Sequence, residues 1–513
     1  MILAVDLGTS SAKAALFSRK GDVLAVGSSP IDKIASPQSG VSADPMAQEV
    51  DAEAWSRAFA RLLPDLRSRA AQAEAGRGNE ALECIAVSGN GPSLVPVGDS
   101  GLPLAPAITW MDRRAVTEAA MASKVAGRPL DPTYNLPKAL WFKRFKPDMY
   151  ERTARFSSCP EYLCGRLTGC WRTFLPAQGF QPIIWDSASL RALGLDESKF
   201  PPFIGLGQVL GRVSLSASRE FGIPEGIPVV SGGPDFVVSL IGTATTRPGR
   251  ACDRAGSSEG INLCHEGSFP QDSRLLVMPH VIEPYLNVSG AISTTGRALA
   301  WFMEASRAGG GDFEELFDSI GMVEPGAGRL VFLPYLAGER APLWDPDARA
   351  AFLGLNLTHR FEHMARAVAE SAGYAIRDVV EAMGSRGAKV SELRVSGGPA
   401  RNPAWNQIKA DITGLPLLVP RFPHAELMGD LCLALSALGD YPGPAEAAET
   451  LVTMERAHEP IAALRSLYDD LFGAYQEGYR ALKPVFARLA AGQRPSGQGS
   501  SGRDAVDRNP GAG

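Results

Sequence analysis

Two apolar runs open the chain, Ile2 to Leu7 and Ala12 to Phe17, and the polar stretch Gly8-Thr9-Ser10-Ser11 separates them. Short apolar runs joined by so brief a Gly/Ser/Thr turn predict a β-hairpin. The spacing then changes. Trp55, Phe59, Leu62, Leu63 and Leu66 recur every three or four residues, which predicts a helix over 51–73. Strand character returns at 82–88, 93–97 and 105–110, so the order is strands, helix, strands, that of an α/β layered domain.

Residues 112–225 read as helices with frequent Pro and Gly interruptions. Beyond them, 228–231 predicts a buried strand, Gly232-Gly233-Pro234 a tight turn, and 235–242 a helix. Asp235 is thereby expected at a helix start, beside the carboxyl end of a strand. Residues 249–264 repeat the opening pattern of strand, Gly-Ser turn and strand about half the chain later, which predicts an internal duplication at the level of domains. The second half continues with a strand at 330–333, a helix near 360–383, a strand at 393–396 ending in Gly397-Gly398, and a helix over 404–412. Residues 491–513 hold no apolar face and predict a disordered tail.

Length and charge narrow the picture. A chain of 513 residues with 45% hydrophobic content exceeds one compact core. The expected domains are 1–243 and 244–490, with a cleft between them. A net charge of −5 provides no basic field for nucleic acid. Seven cysteines without a CxxC pair read as reduced thiols, and Cys159, Cys164 and Cys170 lack a fourth metal ligand. His359 and His363, four apart, read as one face of a helix with no third ligand to complete a metal site. Neither a leader pattern nor an apolar run of membrane-span length is present, so the expected location is the cytoplasm, without a membrane partner.

Three Gly-rich turns carry the candidate chemistry. Asp6 to Lys13 gathers a carboxylate, three hydroxyls and an ammonium into one hairpin, Gly256-Ser257-Ser258 offers a second hydroxyl turn, and Ser396-Gly397-Gly398-Pro399 lets a flat ligand approach the backbone. Each alone is ordinary turn chemistry, and Asp235 alone is an ordinary helix cap. No GxxxxGK[ST] follows a strand, which disfavours a Walker-type ATPase.

In this order, however, the motifs resemble those of the FGGY carbohydrate kinases of the actin-like ATPase superfamily. The matching stretches include DLGTSSAK at 6–13, AITWMDRRA at 107–115, SGGPDFVVSLIG at 231–242, FLPYLAGERAPLWDPDARAAFLGL at 332–355 and SGGPARNPAWNQIKADITGLP at 396–416. The resemblance implies an α/β fold of two RNase H-like domains flanking a catalytic cleft, with ATP and Mg²⁺ as cofactors. It implies Asp235 as catalytic base and Asp6 as the carboxylate that organises Mg²⁺ through water. Thr9, Ser10, Ser11 and Lys13 match the first phosphate turn and Ser257 the second. Gly296, Gly398 and Asn402 match positions at the nucleotide's base and ribose. Trp110 and Asp112 match the segment that lines the sugar site, Asn90 and Gly91 lie in the substrate loop, and Arg113 and Arg114 read as surface charges. Asp430 stands where a small residue is usual.

The second half is most similar to xylulokinases, which implies phosphorylation of a primary hydroxyl of D-xylulose. The substrate loop departs from that pattern: Ser88-Gly89 is followed by Asn90-Gly91-Pro92-Ser93, where those enzymes typically carry Gln-Met-His-Gly. Another ketopentose, a pentitol or glycerol stays open as acceptor, and so does a non-catalytic actin-fold switch. Members of the family are often dimers, so a homodimer is the expected assembly.

Overall fold

In a computed structural model, which describes residues 1–32, 46–73, 81–270, 272–306 and 313–493, the two opening runs pair as an antiparallel hairpin. Strand β1 (Ile2–Leu7) lies against β2 (Ser11–Phe17), with Asp6 opposite Lys13. All six residues of β1 are buried, as befits a strand covered on both faces. With β3 (Val23–Pro30), β4 (Cys84–Gly89), β5 (Val209–Arg212) and β6 (Pro228–Pro234), they form a six-stranded sheet in the order β5-β6-β4-β1-β2-β3. Strands β1, β4 and β6 run parallel, so their carboxyl ends form one rim. Helix α1 (Ala52–Ala73) covers one face, and its Trp55, Phe59, Leu62, Leu63 and Leu66 enter the core, as their spacing predicts.

The second half repeats this plan. Strands β7 (Arg250–Ala255), β8 (Glu259–His265), β9 (Leu276–Pro279), β10 (Leu286–Ile292), β11 (Glu392–Ser396), β12 (Leu417–Pro420) and β13 (Met454–His458) order as β9-β10-β8-β7-β11-β12-β13. Here too an antiparallel hairpin, β7 with β8, is followed in the sheet by a parallel neighbour, β7 with β11. The duplication is therefore one of strand order as well as of motif.

Between β4 and β5 come helix α2 (Asn135–Phe145), which belongs to a separate apolar cluster with Leu94 and Ile108, and helix α3 (Cys159–Thr168), whose Tyr162, Leu163 and Leu167 join the core of the first sheet. Helix α4 (Asp235–Gly242) follows β6 directly. In the second half come α5 (Gly296–Ala305), α6 (Phe313–Gly321), α7 (Phe361–Gly384), α8 (Pro403–Thr413), α9 (Ala425–Ala437) and α10 (Arg465–Gln493).

Helix α9 comes late in the chain yet packs on the first sheet. Its Leu427, Leu431 and Leu435 share a core with Ile2, Ala4, Ala86, Val230, Val238 and Ile241. Two glycines permit that contact. A Cβ on Gly242 would stand 1.7 Å from Ala425 O, and one on Gly429 would stand 2.2 Å from Val238 O. The backbones of α4 and α9 thus touch, and no side-chain movement can make room. Gly242→Ala is expected to cost about 2–3 kcal/mol through forced backbone shifts. Gly384→Ala, where nothing lies within 4 Å, is the control. Thermal unfolding midpoints check the pair, and equal midpoints would refute the packing argument.

Three expectations change. Gly232-Gly233-Pro234 is not a turn but the end of strand β6. A Cβ on Gly232 would lie 2.2 Å from Val87 O and 2.6 Å from Asp430 Oδ1, so the glycine serves close strand approach. The same gap admits Asp430, which is fully buried, accepts from Ser88 Oγ at 2.7 Å and is pushed well above the usual carboxylate range by burial. His359 precedes helix α7 instead of lying on it, and its Nδ1 accepts from Asn356 N. Residues 491–493 complete α10; the remainder of the expected tail lies outside the described residues.

Candidate functional site

The rim of β1, β4 and β6 faces the hairpin turn of β7 and β8. Carboxyl ends of parallel strands are where α/β sheets expose backbone donors and loop side chains. On the first wall, Gly8 is required because a Cβ would meet Ser11 O at 2.8 Å, and Gly8 N donates to that oxygen at 3.0 Å. Thr9 and Ser10 are exposed at the tip, while Ser11 and Lys13 are half-buried on β2. On the second wall, Ser257 is exposed between β7 and β8. Gly296 N donates to Gly256 O at 3.2 Å, and a Cβ on Gly296 would come within 2.4 Å of it. Helix α5 thus docks its first residue onto the second turn.

Gly397 has φ +92° and would meet Ala255 O at 2.0 Å with any Cβ, so the third turn presses onto the end of β7. Gly296, Gly398 and Asn402 line one open cleft of about 1400 Å³ with Phe313, Phe317 and Asp318 of α6. The three positions taken from motif order therefore come together. The α6 residues went unread in the sequence, although Phe313 and Phe317 lie one turn apart. Asn402 also caps α8, its side chain accepting from Trp405 N at 2.9 Å.

Beneath the second turn, Lys409 of α8 is buried between Asp253 of β7 and Glu259 of β8. Its Nζ lies 3.1 Å from Asp253 Oδ2 and in contact with Glu259 Oε1. This ion triad ties both legs of the hairpin to one helix.

Asp235 is the first residue of α4, and Oδ1 accepts from Phe236 N at 2.6 Å. Its side chain is 30% exposed and stands 3.9 Å from Arg254 Nη2. Burial raises its pKa, Arg254 opposes that, and Glu426 adds to it. Asp6 is 4% exposed, and its Oδ1 is buried without a partner. Burial, then Glu426 and Asp235, push it well above the usual range, while Lys13 and Arg254 pull it back. A buried carboxylate oxygen left without a partner suits a divalent cation. Among the described residues, no three His, Cys, Asp or Glu side chains converge to hold a metal by themselves.

A second cavity, of about 750 Å³, is lined by Pro234 and Phe236, the residues on either side of Asp235, but not by Asp235 itself. It includes Asn90 and Gly91, as expected, but its walls are mostly apolar: Pro92, Phe174, Phe180, Ile183, Ile184 and Met278. The Asn90 amide is already committed, donating to Leu7 O at 2.9 Å and Gly8 O at 3.2 Å, while its oxygen accepts from Ser93 Oγ. It fixes the start of the Gly8-Thr9 turn and has little hydrogen-bonding capacity left for a ligand. Glu161 likewise accepts from Ser158 N and Phe174 N. Asn135 Oδ1 is buried without a partner and retains capacity.

Trp110 and Asp112 lie apart from this cavity. Trp110 is 43% exposed and donates to Thr9 Oγ1 at 3.0 Å, which ties it to the first hairpin turn. Asp112 is 1% exposed and accepts from Gln48 N and from the backbone and guanidinium of Arg114, so its carboxylate is structural. Arg114 in turn is no surface charge: it also pairs with Glu49 at 2.8 Å and covers the Trp141 ring at 4.7 Å. Arg113 is the exposed one, facing Asp131. Lys138, fully buried, bridges Pro92 O and Thr109 O at 2.8 and 2.7 Å, and desolvation lowers it to about 7. It holds the substrate loop, and nothing in its local sequence announced that.

Residues 1–242 match the N-terminal domain model, and residues 254–438 the C-terminal domain model, of the FGGY family of carbohydrate kinases. A Staphylococcus epidermidis protein named xylulose kinase is 25% identical over 504 residues, covering 95% of this chain and 98% of its own. A Bacillus subtilis protein named gluconokinase is 25% identical over 518 residues, covering 96% and 98%. The crystal structure of a xylulose kinase from Rhodospirillum rubrum is 26% identical with a TM-score of 0.80, covering 95% of this chain and 99% of that one. Among the described residues, no helix is long and apolar enough to cross a membrane.

Proposed function

Since the chain belongs to the FGGY family of carbohydrate kinases and is a sugar kinase of actin-like ATPase fold, we propose that it transfers the γ-phosphoryl group of ATP to a primary hydroxyl of D-xylulose, in the cytoplasm. The observation that supports the transfer is Asp235, at the carboxyl end of β6, standing 3.9 Å from Arg254, two residues before the Gly256-Ser257 turn of the other half. The adenosine end lies along Gly296, Gly398 and Asn402, and the phosphates reach between the Thr9-Ser10 and Ser257 turns. Asp235 accepts the proton of the acceptor hydroxyl as its oxygen attacks the γ-phosphorus, and ADP leaves. Positioning and charge supply most of the catalysis in such a transfer. Asp6 is suited to hold Mg²⁺ through water. The ion would neutralise charge on the phosphates.

The acceptor cavity favours a second reading of the substrate. A polyol hydroxyl buried against Phe174, Phe180 and Ile184 without a partner costs about 1–3 kcal/mol. A deoxygenated or alkyl-ended acceptor avoids that cost. D-xylulose rests on the named relatives, and the alkyl-ended acceptor rests on the walls.

An ADP-release assay over D-xylulose, other ketopentoses, pentitols, glycerol and 1-deoxy-D-xylulose tests both. Sugar-dependent ADP is the expected result; hydrolysis indifferent to every sugar would instead select the nucleotide switch. The second reading predicts a kcat/KM for 1-deoxy-D-xylulose roughly tenfold or more above that for D-xylulose, and equal values would discard it.

A further inference from the structure

Arg254 is the penultimate residue of β7, two positions before the Gly256-Ser257 turn, and no feature of its own neighbourhood explains it. Its neighbours across the sheet are Gly260 on β8 and Ser396 on β11, neither of which carries a charge. Its side chain is 32% exposed and reaches out of the second domain to Asp235, with 3.9 Å between Nη2 and Oδ1.

The charges facing Asp235 come from four elements: Arg254 of β7, Glu426 of α9, Lys13 of β2 and, coupled through its own carboxylate, Asp6 of β1. Two of the four are acids. Of the two cations, Arg254 acts on Asp235 more strongly than Lys13 does. A carboxylate in a partly dry cleft beside two others tends to take up a proton, and a protonated base cannot accept the acceptor's proton.

We infer that Arg254 is the positioning residue for the base: from the opposite wall of the cleft its guanidinium stands against the Asp235 carboxylate, so that the base is set only when both domains are in place. This rests on Asp235 being the base. A planar guanidinium suits the task, because it stays charged and can steer a carboxylate by direction as well as by charge.

The test compares wild type, Arg254→Gln and Arg254→Lys by the pH dependence of kcat/KM, which reports the groups of the free enzyme. Arg254 holds the Asp235 pKa down, so removing it raises that pKa and moves the acid limb to higher pH. Arg254→Gln is expected to move it by roughly half a unit or more. The glutamine variant is also expected to lose roughly 10- to 100-fold in kcat. The KM for ATP should change little, and Arg254→Lys should restore most of the limb. Arg254→Met, which keeps the apolar stem, serves the same comparison if the glutamine variant folds poorly. A wild-type acid limb in the neutral variants, or a lysine variant no better than glutamine, would overturn the inference. Should Asp235→Asn be inactive while Arg254→Gln behaves as wild type, this inference alone fails; should Asp235→Asn be active, the base assignment fails first.

Discussion

Asp235→Asn is expected to lower sugar-dependent kcat by about 10²–10⁴-fold, the range for losing a positioned general base. The substitution keeps the side chain's shape and the oxygen that accepts from Phe236 N, so helix α4 keeps its start. What disappears is the proton acceptor beside the cavity that Pro234 and Phe236 line. Nucleotide affinity, read by calorimetry, is expected to stay near wild type, because Gly296, Gly398 and Asn402 line a separate cleft on the second domain. Wild-type kcat/KM should rise with pH through a limb above the usual carboxylate range, since burial raises the Asp235 pKa, and the asparagine variant should lack that limb. Retention of more than a few per cent of wild-type kcat would rule the assignment out.

The position of Asp235 was legible in the sequence because it depends on local order: a strand, two glycines, a proline, an acid and a helix in succession. The same holds for both hairpin turns, where strand, Gly-Ser/Thr and strand follow one another within about fifteen residues. Residues whose roles come from distant partners were not legible. Asn90 reads as a sugar ligand until β1 runs beside it and takes its amide with Leu7 O and Gly8 O. Asp112 reads as one until Arg114 folds back onto it. Lys138, Arg254 and Lys409 lie in segments that look like any helix or strand, and their partners stand 46, 19 and 156 positions away at Pro92, Asp235 and Asp253. Periodicity locates a buried face; it does not say which charge on the other side will meet it. Helix α9 illustrates the same limit for packing. Its apolar content predicts burial, but its contact with β1 and α4 follows from two glycines that only make sense as a pair.

Lys409→Met is expected to destabilise the protein by about 3–5 kcal/mol, the cost of breaking a buried ion cluster by removing one partner. In wild type, Asp253, Glu259 and Lys409 are each 2% exposed or less. Burial raises the Glu259 pKa and Asp253 raises it further, while Lys409 pulls it down. Without the ammonium, two carboxylates share a dry site, and one must bind a proton for the fold to persist. A carboxylate whose pKa is higher in the folded than in the unfolded state binds more protons when folded. Its stability contribution is therefore present at low pH and lost as pH rises through the folded pKa. In wild type the Glu259 pKa already stands at about 8, so the deficit of the methionine variant should be nearly constant below about pH 7 and grow above about pH 8, as denaturant unfolding on either side would reveal. A deficit independent of pH would mean that lost packing against Trp405, which the ammonium covers at 5.0 Å, dominates instead of charge. Because Asp253 and Glu259 flank Gly256-Ser257-Ser258, the variant should also weaken nucleotide binding under conditions where it remains folded, through a loosened hairpin and without any contact of its own to the phosphates.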